Sequence, residues 1–334
     1  MSEPSASGST AGVRRTPAPP RIPLQVEGAA APEPVDYLVH HLTSYRYQRT
    51  VDRNYGRAHV EPRATPYQRV LSHEVTVEPA PAVLTAHTDV YGNSSTFLLV
   101  DGPHDALDVH SRARVTVLGR EYPPERLAAP WESCTQDRWG NLMPAESVDF
   151  VLPSPRIRTI PAVREIAEQV FTPERPIGEA LADLTHRIHT GFTYSSGATT
   201  VTSTLEEVLA ARHGVCQDFS HVGVAVARCM GLAARYVSGY LRTASADPAT
   251  LGTAPTGEMI GSAASHAWLS VLVPGCGWVD IDPTNNTFVD QRFVTTAWGR
   301  DYTDVPPLRG IVVGPSGNRS TLKVAVGVVP EARD

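Results

Sequence analysis

Of the four cysteines in the chain, Cys134, Cys216, Cys229 and Cys276, only Cys216 stands just past a glycine at what reads as the first turn of a helix, in "HGVCQDFSHV" (213–222). A helix N-terminus offers unpaired N–H groups and the positive end of the peptide dipole, worth about 0.3–1 kcal/mol to a nearby anion. That favours thiolate, the nucleophilic form of cysteine. The same N–H groups can receive the oxyanion formed when a thiolate attacks a carbonyl, and a preceding glycine lets substrate come close. A cysteine packed in a core would carry the same local pattern, because free cysteine is among the most buried residue types. A nucleophile therefore has to be judged by its partners: a base, and a group that orients the base. The stretch "SHAWLSVLVPGCGWVDIDPTNN" contains both residue types. His266 opens one strand-like run, "PGCG" (274–277) makes a turn, and Asp282 closes the next run. Asp280 would point to the same sheet face and is the rival orienter. A turn at 274–277 leaves His266 and Asp282 three residues out of opposition, so a bulge or a shifted turn has to close the gap.

The elements that must position these residues fall into two characters. From Tyr37 to Val117 the pattern has period two, with strand-like runs at 37–47, 69–79, 95–102 and 106–118 separated by turn-forming residues. Such spacing predicts a β-sandwich-like domain over 37–118. Prolines 123, 124, 130, 153 and 155 mark 119–160 as a linker with short elements, and residues 1–36, rich in Ser, Pro, Ala and Gly, read as a disordered tail. From 161 to the end the helical period takes over: 162–171, then 176–192 with Ile177, Leu181, Leu184 and Ile188 on one face. "STLEEVLAARHG" (203–214) carries Ser203 and Glu206 at capping-box spacing, with Gly214 where a helix C-terminus favours a left-handed residue. A helix from Cys216 to Met230 follows, then strands at 234–242, 266–274 and 278–282, with a Gly/Ala/Thr-rich loop at 243–262. Helices followed by antiparallel strands make an α+β domain, here spanning 161–334 with its C-terminal strands.

Composition removes several function classes. A net charge of -6 without like-charge blocks argues against nucleic acid, and Lys323 is the sole lysine among 29 basic residues. No run approaches the roughly 18 apolar residues of a membrane span. The first 36 residues hold no apolar core of a secretory signal. Widely spaced cysteines without C-x-x-C pairs predict reduced thiols and a cytoplasmic location. A zinc site from Cys216, His221 and Cys229 is disfavoured because these positions along one helix do not converge on a tetrahedron. Cys229 is expected in the core, Cys276 in the hairpin turn and Cys134 in the linker, while His40, His41, His186 and His189 read as surface residues.

The segment "RHGVCQDFSHVGVAVARCMGLAARYVSGYL", with "SHAW" and "GWVDIDPTN", resembles the transglutaminase-like superfamily, and within it the bacterial transglutaminase-like cysteine peptidases. "YLVHHLTSYRY", "DVYGN" and "GRDYTDVPPLRG" extend the likeness over nearly everything from Tyr37 onward. The resemblance implies a papain-like catalytic core after a β-rich N-terminal region. It implies a triad of Cys216 as nucleophile, His266 as base and Asp282, next to "PT", as orienter, with no metal or cofactor. Tyr194 falls where relatives place an aromatic residue near the oxyanion, and Gln217 follows the nucleophile. Asp218 would complement the helix dipole. Three activities are compatible with the resemblance: a cysteine hydrolase of peptide, isopeptide or other amide bonds, a transglutaminase passing the acyl group to an amine, and a non-catalytic protein-binding module. The absence of a D-x-[DN]-x-[DN]-G calcium loop tilts the expectation to the hydrolase. Its partner is then a peptide or protein substrate, and no signal for an oligomeric state is present.

Overall fold

Alternating burial draws the first third of the chain into strands. In the computed structural model, which describes residues 17–135, 144–196, 202–243 and 265–331, two strands of 24 residues dominate: β1 (Val35–Ala58) and β4 (Ser94–Val117). Between them come β2 (Gln68–Glu78) and β3 (Val83–Thr88). The runs at 95–102 and 106–118, read as separate strands, are one. Gly102 adopts φ +115°, and the β1–β4 ladder shifts register near Val51 and His104, so a turn-like "DGPHD" is absorbed as a bulge.

The second half supplies α1 (Pro161–Val170), α2 (Ile177–Gly191), the short β5 (Thr193–Tyr194), α3 (Leu205–Ala211), the short β6 (His213–Gly214) and α4 (Cys216–Cys229). Five strands then build a second antiparallel sheet. They are β7 (Ala234–Leu241), β8 (His266–Val273), β9 (Gly277–Asp282), β10 (Thr287–Phe288) and β11 (Phe293–Gly299), in the order β10-β9-β8-β7-β11. The capping box at α3 uses Thr204 and Glu207, one residue later than Ser203 and Glu206. Its left-handed C-terminal residue is Arg212 (φ +54°), not Gly214. Gly214 is required for a different reason: a Cβ there would meet Asp218 Oδ2 at 2.7 Å.

Residues Gln217–Arg228 of α4 are all buried, so the apolar stripe expected on one face extends around the whole helix. Val222, Val224 and Val226 join Ile177, Leu181, Leu184 and Ile188 of α2 with Leu269, Val271 and Ile281 of the sheet in the main core. The span 119–160 is no loose linker, since Tyr122, Leu127, Trp131, Cys134 and Ile157 belong to that core. The expected tail is also corrected over residues 17–36. Gln25 N–H donates to Tyr122 O (2.9 Å), Tyr122 N–H donates to Pro23 O (2.9 Å), and Ile22 packs on the core. A proline-rich extended segment with few hydrogen bonds of its own can dock through a few side chains. Residues 1–16 of that expectation lie outside the described residues, as does most of the 243–262 loop.

The last two strands, β12 (Leu308–Val313) and β13 (Ser320–Glu331), were expected with the C-terminal domain but hydrogen-bond to β1. β13 covers residues 36–47 of β1 and β12 covers 53–58, while β2 and β3 divide the far edge of β4 in the same way. The six strands form one antiparallel sheet. Tyr37, Val39, Val115, Val326 and Val328 of this sheet pack against Tyr240 of β7 and Val294 of β11. Sheet-on-sheet packing therefore lies between the N-terminal sheet and the second sheet.

Candidate functional site

Cys216 is the first residue of α4, with its side chain half-buried. Asp218 fixes this turn: its Oδ2 accepts the Val215 N–H at 2.8 Å, reaching back to the residue before the helix. It is a specific cap as well as a charge near the dipole. The parallel β5–β6 pair brings Tyr194 beside the same turn, with Ser195 N–H donating to Gly214 O at 2.9 Å. The Tyr194 ring meets Phe219 edge-on at 6.3 Å. Burial, then the neighbouring Cys216 and Asp282, push the Tyr194 phenol up to about 12.

His266 and Asp282 need no bulge to meet. The hairpin turn holds three residues instead of four: Val273 pairs with Gly277, and Cys276 N–H donates to Val273 O at 3.0 Å, with positive φ at Gly275 and Gly277. Val271 therefore opposes Val279 and Ser270 opposes Asp280. Continued by that register, Asp282 falls two residues from His266, on the same face of the ladder. Such diagonal pairs lie roughly 7–8 Å apart at the backbone, within reach of an imidazole and a carboxylate. The His266 Nε2–H donates to Asp282 Oδ2 at 2.9 Å, and both side chains are wholly buried.

Asp282 is itself held by the turn that follows. Its Oδ1 accepts the Thr284 N–H (2.8 Å), and its Oδ2 also accepts from Asn285 Nδ2 (2.7 Å). Asn285 was not singled out from sequence, although "DPTNN" carries the signal: an Asp bonding the backbone two residues on is an Asx-turn. Asp280, the rival, is engaged elsewhere, accepting from Arg120 and from Ser270 Oγ.

Burial alone would lower the His266 pKa, but the Asp282 carboxylate and the adjacent Cys216 outweigh it and raise it to about 10. The ring packs near Trp268 and Phe293, with centroids 6.2 and 6.3 Å away. Nδ1 of His266 is buried without a hydrogen-bond partner, leaving one ring nitrogen for the thiol side. Cys216, His266, Tyr194 and Gln217 line one cavity of about 300 Å³. Its opposite wall comes from the N-terminal sheet: Thr43 and Tyr45 of β1, Leu308 of β12, and Leu322 and Val324 of β13. Lys323, between those last two, is exposed.

The other thiols differ. Burial raises Cys134 to about 11 and also raises Cys229 and Cys276, and none of the three lines this cavity. His221 is buried and its Nε2 accepts the Tyr302 N–H at 3.2 Å.

Residues 37–116 match the bacterial transglutaminase-like N-terminal region, and residues 164–283 match the transglutaminase-like superfamily core. Uncharacterised proteins of Mycobacterium bovis (Mb2599c) and Mycobacterium tuberculosis (Rv2569c) are 44% identical over 306 residues, 88% of this chain and 92% of each relative. A Mycobacterium leprae relative, ML0607, is 29% identical over 278 residues, covering 82% and 92%. The crystal structure of a candidate cysteine protease from Cytophaga hutchinsonii superposes with a TM-score of 0.69 at 18% identity, over 91% of this chain and 93% of that one. The chain belongs to the transglutaminase-like superfamily of cysteine-dependent hydrolases and transferases, and carries its bacterial N-terminal region. No described helix is long and apolar enough to cross a membrane.

Proposed function

We propose that the chain is a cysteine hydrolase that opens an amide bond of a peptide, isopeptide or related substrate through a thioester on Cys216. In this reading the Cys216 thiol gives its proton to His266 Nδ1, and Sγ adds to the substrate carbonyl carbon. The oxyanion is received by backbone N–H groups of the first turn of α4, which have no intrahelical acceptor, with Tyr194 at its side. His266 then donates its proton to the departing amine, the C–N bond breaks, and a thioester remains. Water attacks next, His266 taking its proton and returning one to Sγ, which releases the acid. Asp282 holds the ring with Nε2 protonated, so that Nδ1 faces the sulfur.

The observation that carries this reading is the buried His266–Asp282 pair, whose second ring nitrogen is unpartnered and whose ring shares a cavity with Cys216. A binding module has no use for a buried, carboxylate-charged base. Four unpaired cysteines fit a reducing compartment, and we place the protein in the cytoplasm on that ground. Mass spectrometry of a glutamine-bearing protein and a peptide library, incubated with a small primary amine, tests the reaction. Cleavage or deamidation dependent on Cys216, with little amine incorporated, is expected. Efficient Cys216-dependent amine incorporation would move the assignment to acyl transfer. Lys323 is the sole lysine, so self-crosslinking is no substitute for this assay.

A further inference from the structure

Among the described residues, a second cavity is larger than the one at Cys216. A cavity of about 670 Å³ is lined by Tyr67, Arg120, Phe150, Arg235, Trp278 and Trp298 among others. Strand β7 separates the two: Tyr236 and Ser238 line the Cys216 cavity, while Arg235 and Val237 line this one. Because strand side chains alternate, the second cavity lies across the sheet from the cleft.

Arg235 is only 6% exposed. Its guanidinium carbon lies 4.0 Å from the Trp278 ring centroid and 3.6 Å from that of Trp298, and Arg63 lies 3.2 Å from the Trp298 centroid. Two guanidinium groups that close to one ring cannot share a face, so Arg63, Trp298, Arg235 and Trp278 stack in alternation. Arg63 is further anchored on Tyr91 O (3.1 Å) and Asn93. The Arg235 guanidinium, by contrast, makes no hydrogen bond or ion pair among the described residues, and its buried Nε has no partner. Asp280, which accepts from Arg120 and Ser270, makes no hydrogen bond to Arg235 and acts on it only through its charge. The remaining acids on the lining, Glu146 and Asp149, are exposed at the rim. Inside the cavity two guanidinium groups face the single buried carboxylate of Asp280, which pairs directly with Arg120, so Arg235 is a cation held in place with no carboxylate in hydrogen-bond contact.

A buried cation without a hydrogen-bonded anion is costly, and a guanidinium keeps its charge. Here two indoles fix its plane and stabilise it partly through their ring faces, leaving its in-plane donors unused. We propose that this cavity is a ligand site for a small organic carboxylate with a flat apolar body, the carboxylate pairing with Arg235 and the body lying against the surrounding aromatic rings. Carboxylate is favoured because the planar guanidinium fork matches it bidentately, and an apolar body because Tyr67, Val90, Phe150 and the two tryptophans form the walls. The site is independent of the chemistry at Cys216.

The test is a titration of the full chain with 2-naphthoate and its uncharged isostere 2-naphthamide, by calorimetry and tryptophan fluorescence. Saturable naphthoate binding, at least about tenfold tighter than the amide, is expected. Arg235→Gln should abolish that preference, and Cys216→Ala should leave it intact. Ala145→Trp, at an exposed lining position, should weaken binding without disturbing the stack, and it serves if Arg235→Gln does not fold. Equal affinity for acid and amide, no naphthoate binding, a preference that survives Arg235→Gln, or an affinity unchanged by Ala145→Trp would overturn the assignment.

Discussion

Two buried histidines, one in each half of the molecule, share a geometry and differ in one atom's partner. His41 of β1 is 0% exposed and His266 of β8 is 2% exposed. Each has one ring nitrogen hydrogen-bonded, and each leaves a buried Nδ1 without a partner. His41 Nε2 meets a neutral hydroxyl, Thr43 Oγ1, at 2.7 Å, whereas His266 Nε2 meets the Asp282 carboxylate at 2.9 Å. Burial, with minor help from His40 and His110, lowers the first to about 3. In the second, the carboxylate and the thiol reverse the effect of burial and raise it to about 10. Burial by itself makes a silent histidine; a buried acid makes a base.

The largest effect expected from breaking this contrast is on turnover. Cys216→Ala and His266→Ala should each reduce amide cleavage to background, with unchanged circular dichroism, while His41→Gln should still turn over. If His41→Gln is as inactive as His266→Ala while remaining folded, the division between the two histidines fails.

Asp282→Asn comes next. Loss of an orienting aspartate leaves the imidazole in the wrong tautomer and costs up to ~10⁴-fold where such triads have been dissected. Asp280→Asn should act on stability and spare the chemistry. Among the described residues it removes the only carboxylate paired with buried Arg120, and breaking such a pair costs roughly 3–5 kcal/mol. Assayed side by side by kcat and thermal midpoint, Asp282→Asn should lose turnover as well as stability, and Asp280→Asn stability alone. An Asp280→Asn protein that keeps its midpoint and loses turnover would mean the wrong aspartate has been chosen.

How much of this was readable beforehand differs between the halves. Cys216 at a helix start, His266 at a strand start and Asp282 before a turn are local features, and local sequence shows them. The pairing of His266 with Asp282 depended on whether the hairpin turn holds three residues or four, and glycines at both 275 and 277 allow either. His41 looked like a surface residue because its cover comes from elsewhere: the Tyr240 ring on β7 lies 5.4 Å away, and β13 pairs alongside it. Pairing between the two ends of a chain leaves no local signature. The same holds for Arg235, which is unremarkable in "ARYVSGY" and acquires its meaning from tryptophans on β9 and β11.

A smaller effect is the pH dependence of stability, where the two histidines should act with opposite sign. His266 has a folded pKa raised above ~6.5, so its contribution is complete below that value and is lost as pH rises toward about 10. His41 has a folded pKa lowered to about 3, so its contribution is complete above ~6.5 and is lost as pH falls toward about 3. Thermal midpoints of wild type and His266→Gln should converge on the alkaline side, and those of wild type and His41→Gln on the acid side. Parallel curves for both variants would show that neither residue titrates as its surroundings imply.

The smallest effect is expected at Thr43, the neutral partner. Thr43→Val preserves shape but removes the hydroxyl partner of the His41 hydrogen bond, leaving that ring with no partner on either nitrogen among the described residues. An unsatisfied buried polar group costs about 1–3 kcal/mol. Between pH 7 and pH 10 His41 is neutral in the folded and the unfolded chain alike, since both ~6.5 and its lowered folded value lie below that window. The loss from Thr43→Val should therefore be the same at every pH in that range, measured by urea denaturation. Asp282→Asn, by contrast, should cost most near pH 7 and progressively less toward pH 10, as the imidazolium it stabilises disappears. A Thr43→Val penalty that shrinks with rising pH would show that His41 carries charge after all, and the distinction between a hydroxyl partner and a carboxylate partner would no longer explain the difference between the two halves.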